Sequence, residues 1–145
     1  RMKKMRNRRQ LFLMVLVCVS FGGVAFADID IRKSGTLLLT IDSRGNVRQS
    51  GRLVGRIEDD GDIRKSGRLV GEISTNGTLR KSGSFYGQIS SSGNLRISGR
   101  LVATISSSGT IRKSGRLWGS VSSCCNDEQR RKVAAAIVFF GDLGE

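Results

Sequence analysis

The chain has 145 residues, with 25 Lys or Arg against 12 Asp or Glu, 19 glycines, and neither proline nor histidine. That length accommodates one domain. The missing histidine excludes imidazole acid–base chemistry and histidine-ligated metal centres, and a net charge of +13 points toward an anionic partner or surface.

The first segment reads as an export signal. "MKKMRNRRQ" is a basic leader, "LFLMVLVCVSFGGV" an apolar stretch, and Ala25 and Ala27 form an A-x-A site that places cleavage after Ala27. The apolar run is short for a membrane span and is broken by Ser20, Gly22 and Gly23. The mature chain is therefore expected to carry no transmembrane segment and to be secreted or periplasmic. Six basic residues (Arg1, Lys3, Lys4, Arg6, Arg8 and Arg9) leave with the signal, and what remains is still basic. Export makes nucleic acid a poor fit as partner and an anionic cell-surface polymer or lipid headgroup a better one.

Residues 28–126 are a repeat. Starting at Ile31, one frame recurs at Val47, Ile63, Leu79, Leu95 and Ile111, always 16 residues apart. The unit is Φ-R-x-S-G-x-Φ-Φ-x-x-Φ-x-x-x-G-x, where Φ is apolar; the sixth unit has Cys125 at its last glycine position. Two glycines per 16 residues break any helix, whereas two short strands fit between them. Ser-Gly supplies one tight turn and segments such as "STNG" the next. In the third unit Leu69, Gly71 and Ile73 are expected on one strand face, with Val70 and Glu72 on the other. A lone hairpin buries too little to fold, so the array is the folding unit. Its exposed edges must be hidden, and closure into a ring does so, with a capped linear solenoid as the rival. The predicted class is all-β: a closed radial array of short β-hairpins, propeller-like or flower-like. The count is five hairpins, from Leu37–Val47 to Leu101–Ile111, or six if the outer strands near Ile31 and Val121 pair.

The spacing in "GDIRKSGRLVGEI", behind a signal peptide and before an "AAAIVFF" tail, resembles the bacterial five-fold β-flower proteins and their four-fold relatives. The resemblance covers about residues 29–140. It implies a compact ring of short hairpins in an exported protein, and no assigned biochemical role.

Within the repeat, the second position is always arginine: Arg32, Arg48, Arg64, Arg80, Arg96 and Arg112. In a closed ring these lie on one circle, a cationic collar able to grip carboxylates or phosphates, or simply to keep the rim solvated. Lys33, Lys65, Lys81 and Lys113 follow on the opposite strand face. The eighth position runs Leu38, Val54, Val70, Tyr86, Val102, Trp118. Tyr86 and Trp118 are candidate sugar-stacking platforms, although the aliphatic counterparts favour packing. The acidic turn of Glu58, Asp59, Asp60 and Asp62 lacks the spacing of a calcium loop, so no metal site is assigned.

Cys124 and Cys125 are adjacent, and in an oxidising compartment three readings are open: a strained vicinal disulfide, bridges to a second chain, or packing-only thiols. The tail, residues 127–145, is expected to pack on the ring as a helix or strand. Asn126 or Asp127 would cap the helical form and Gly141 end it. No cofactor motif is present. The functional expectation is a structural or binding module without catalysis, with an anionic glycan or lipid-headgroup binder as alternative. A carboxylate hydrolase using Asp60 and Glu72 is the weakest reading.

Overall fold

The computed structural model describes residues 28–141 and 143; the segment read as an export signal lies outside the described residues. The inner 16-residue units each spend four residues on a first strand, two on a Ser-Gly turn, six on a second strand and four on a connection, while β1 has five residues. The hairpins in chain order are β1 (Ile29–Lys33) with β2 (Thr36–Ile41), β3 (Asn46–Gln49) with β4 (Arg52–Ile57), and β5 (Asp62–Lys65) with β6 (Arg68–Ile73). They continue as β7 (Thr78–Lys81) with β8 (Ser84–Ile89), β9 (Asn94–Ile97) with β10 (Arg100–Ile105), and β11 (Thr110–Lys113) with β12 (Arg116–Val121).

Successive hairpins pair antiparallel, and β1 pairs β12 through Ile31 opposite Val121, so twelve strands close into a barrel with no free edge. The strands near Ile31 and Val121 thus complete a sixth hairpin unit, and the solenoid alternative falls away. The seam has its own substitution. In other units the amide at position 12 donates to the carbonyl at position 16, as Asp42 does to Asn46. At the seam the Ser122 amide donates to the Asp30 carbonyl at 3.0 Å. The start of β1 therefore occupies the place that Cys125 and Asn126 would hold in a sixth connection of the pattern. This frees Cys125 from the glycine requirement.

The core follows from register. Ile41 faces Val47, Ile57 faces Ile63, Ile73 faces Leu79, Ile89 faces Leu95, Ile105 faces Ile111, and Val121 faces Ile31. These twelve aliphatic side chains are all buried and form one continuous belt. A twelve-stranded ring is too wide for such side chains alone to fill. The C-terminal segment fills it: α1 (Asp127–Phe139) buries Val133, Ala134, Ala135, Ala136 and Ile137, five consecutive residues with no exposure. Consecutive residues point in every direction around a helix axis, so α1 is enclosed on all sides. Of the two forms expected for the tail, the helix is the one observed.

The sequence explains where α1 starts and how it fits. Asn126 accepts from the Gln129 amide at 2.8 Å while the Gln129 side chain accepts from the Asn126 amide at 2.9 Å, a closed capping box. Asp127 and Glu128 lie in the first turn, where the helix dipole favours them. The alanines keep the helix slim inside the belt. At its far end Phe139 and Phe140 lie against Gly71 and Gly55, where any Cβ would collide with the rings.

Candidate binding surface at the hairpin tips

All six Ser-Gly turns lie at one end of the barrel because each joins the two strands of a hairpin in the same sense. The serines have φ of +50 to +53° and the glycines +75 to +82°, the backbone of a turn with two left-handed residues that matches the strand twist. Serine is tolerated there at some cost.

Next to each turn the second strand carries a β-bulge. In the third unit Ile63 opposes Gly71 and Arg64 opposes Leu69, so Val70 is the extra residue, and every other hairpin has the same register shift. A bulge breaks strict alternation. This corrects one expectation: Leu69 does not share the buried face of Gly71 and Ile73 but is 57% exposed. The same holds at the equivalent position throughout. Leu37, Leu53, Leu69, Phe85, Leu101 and Leu117 form a crown of exposed apolar side chains, between 48% and 67% exposed.

Each crown residue lies directly opposite a collar arginine across its hairpin: Arg32–Leu37, Arg48–Leu53, Arg64–Leu69, Arg80–Phe85, Arg96–Leu101 and Arg112–Leu117. The six arginines thus share one circle on the outer wall. They are not equivalent in their partners. Arg64 Nε lies 3.1 Å from Glu58 Oε1 and its Nη2 3.9 Å from Asp62 Oδ2, and Arg80 Nε lies 3.6 Å from Glu72 Oε1. Among the described residues, no carboxylate comes within ion-pair distance of Arg32, Arg48, Arg96 or Arg112.

The tips as a whole are electrically one-sided. Residues 32–37, 48–53, 64–69, 80–85, 96–101 and 112–117 contain fourteen Lys or Arg and no Asp or Glu. Arg52, Arg68, Arg100 and Arg116 at the sixth repeat position contribute four of these, a second cationic set that the single-motif reading of the collar passed over.

Three of the four lysines turn the other way. Lys33 Nζ lies 5.6 Å from the Trp118 ring centroid, Lys81 Nζ 5.3 Å from Tyr86, and Lys65 Nζ 5.9 Å from Phe140 of the helical tail. Trp118 is only 8% exposed and borders an open recess of about 330 Å³ with Ser34, Gly35 and Leu117. Tyr86 is half-buried, and its aliphatic equivalents Leu38, Val54, Val70 and Val102 pack against the core. Trp118 is thus mostly packed away, whereas Tyr86 keeps part of its surface exposed.

The remaining candidates lie toward the opposite end. Carboxylate oxygens of Glu58, Asp60 and Asp62 come within 4.8 Å of one another, and two of the three residues hold the Arg64 guanidinium. Asp60 Oδ1 also accepts from the Asp62 amide at 3.0 Å, which is the work of a turn-stabilising side chain. Glu72 is exposed and pairs with Arg80, so Asp60 and Glu72 do not converge on a desolvated site. Cys124 and Cys125 are joined to one another as a vicinal disulfide where the chain leaves β12 for α1, and the Cys125 amide donates to the Ser107 carbonyl at 3.1 Å.

The crown is the feature that motif reading missed. Its signal was present in "RLVGEI" and its equivalents: two apolar residues side by side before a small one cannot all face inward on an alternating strand. Comparison of the chain with family models, with curated proteins and with solved structures found no match.

Proposed function

We propose that this chain is an exported, non-catalytic binding module of the β-flower type that holds polyanionic ligands against its hairpin-tip face. The observation that carries the reading is charge segregation. Fourteen cationic side chains and no acidic one decorate the six tips, while Asp42, Glu58, Asp59, Asp60, Asp127 and Glu128 lie on the connections and first helical turn at the other end. Scattered surface charge serves solubility, but a one-signed face concentrates potential and attracts counter-ions of opposite sign. Guanidinium forks repeated around a circle suit phosphate, sulfate or carboxylate groups presented several at a time. The reading invokes no cofactor and no metal, and repeat-equivalent positions fit a multivalent contact better than a single reaction centre.

Retention on immobilised heparin tests this. The purified protein is expected to bind at low salt and elute as salt rises, because exposed charges are screened beyond about 10 Å at 0.1 M. Arg32→Ala, Arg96→Ala and Arg112→Ala together remove collar arginines without a carboxylate partner among the described residues. That variant is expected to elute at clearly lower salt with an unchanged thermal midpoint. Failure of the parent protein to bind at low salt overturns the reading.

A further inference from the structure

The apolar crown is unexplained by polyanion binding alone. A collar that only gripped soluble polymers would gain nothing from six exposed aliphatic or aromatic side chains beside its arginines, and such a patch is a liability in water. We infer that the hairpin-tip face docks on anionic phospholipid bilayers, the crown entering the interface while the surrounding cations hold the headgroups. This rests on the polyanion-binding reading above and names its ligand.

Depth, spacing and charge support it. Each crown residue stands two positions beyond the turn glycine, as Leu37 does beyond Gly35, or about 7 Å along a strand at about 3.3 Å per residue. That matches the roughly 5–10 Å to which interfacial elements bury their apolar faces. The crown recurs on every second strand, so its members are spaced about 10 Å apart around the rim. The arginine side chains opposite them carry long apolar stems that reach back to headgroup level.

The same face argues against other occupants. A second copy docked tip to tip would bring two sets of fourteen cations together, a like-charge contact. Spanning the bilayer is excluded by dimension: the strands have four to six residues, against the nine to eleven a spanning strand needs. Moreover, the outer wall beyond the crown carries exposed Arg56, Glu72 and Gln88.

The test compares the purified protein with variants that differ only at exposed tip positions, using vesicles of equal parts phosphatidylglycerol and phosphatidylcholine, vesicles of phosphatidylcholine alone, and heparin. Heparin should be bound, and of the two kinds of vesicle only the anionic ones. Leu53→Ser, Leu69→Ser and Phe85→Ser together should weaken that binding by about tenfold or more, given how interfacial affinity follows apolar area, and leave heparin retention intact. In Phe85→Trp the new indole should shift its emission to the blue with anionic vesicles and stay unshifted with heparin. Unchanged vesicle affinity in the triple-serine variant overturns the inference. So does heparin retention without vesicle binding in the parent protein, which leaves polyanion binding standing; loss of both removes the two readings together. A concentration-dependent dimer that the serine substitutions abolish would assign the crown to a second copy and overturn it as well.

Discussion

The two ends of the barrel are built from the same device and use it differently. At the tips, Gly83 has φ +80° and a Cβ added to it would meet nothing within 4 Å. On the connections, Gly77 has φ +88°, and a Cβ there would run into the carbonyl of Ile89, whose amide donates to the Gly77 carbonyl at 2.9 Å. One glycine needs only its backbone freedom; the other also needs the space. The connection end, where α1 enters, is knitted by close backbone contacts, and the tip end is sterically open. An open end tolerates side-chain change, and it is the end where cations and exposed apolar groups collect.

The largest contrast lies between buried and exposed aliphatics. Ile137→Ala, at the last of the five enclosed helix residues, should cost about 2–5 kcal/mol, whereas Leu69→Ala on the crown should stay within about 0.5 kcal/mol. Urea unfolding of the two variants measures both, and comparable losses would mean that the crown is structural. The glycine pair comes next. Gly77→Ala should destabilise by about 2–4 kcal/mol, combining left-handed strain with displacement of the Ile89 hydrogen bond. Gly83→Ala should cost about 1–2 kcal/mol for the left-handed backbone alone. Equal midpoints for the two would erase the distinction between the ends.

Much of this was legible in the sequence. The 16-residue period specified strand and turn and favoured closure over a solenoid, because each unit's glycines and aliphatics recur where backbone and belt require them; the count of five or six hairpins stayed open. The helical tail was legible in its cap residues, though not in its location, since "AAAIVFF" reads equally as strand or helix until a ring of known width needs filling. The outward direction of Leu69 was not read, because period-two alternation assigns faces correctly only while a ladder is regular. A bulge is set by the register of two strands, which no single strand displays. The collar arginines were found as a set, but the difference between Arg64, held by Glu58, and Arg48, without a carboxylate partner among the described residues, depends on the neighbouring turn.

The connection end also carries the smallest of the expected effects, and here the chemistry is that of a turn. Burial pushes the Asp42 carboxyl up, but the backbone and side-chain donors of Asn46, at 2.9 and 3.0 Å, act against it. The Arg44 amide at 2.9 Å and the charge of Arg48 act in the same sense, and together they hold it below its ordinary value of 3.8. A carboxyl depressed on folding stabilises the folded state fully above its unfolded value and loses that contribution as pH falls through the folded one. Wild-type stability should therefore decline on acidification below about pH 4 more steeply than that of Asp42→Asn, which has no charge to lose there. The difference should be small, about 1 kcal/mol or less, since the turn is near the surface. Chemical unfolding at pH 7 and pH 3 would read it as a convergence of the two proteins in acid. A constant gap between them would show that Asp42 acts through its shape, as any Asx side chain capping a turn does, and that its charge contributes nothing to holding this end closed.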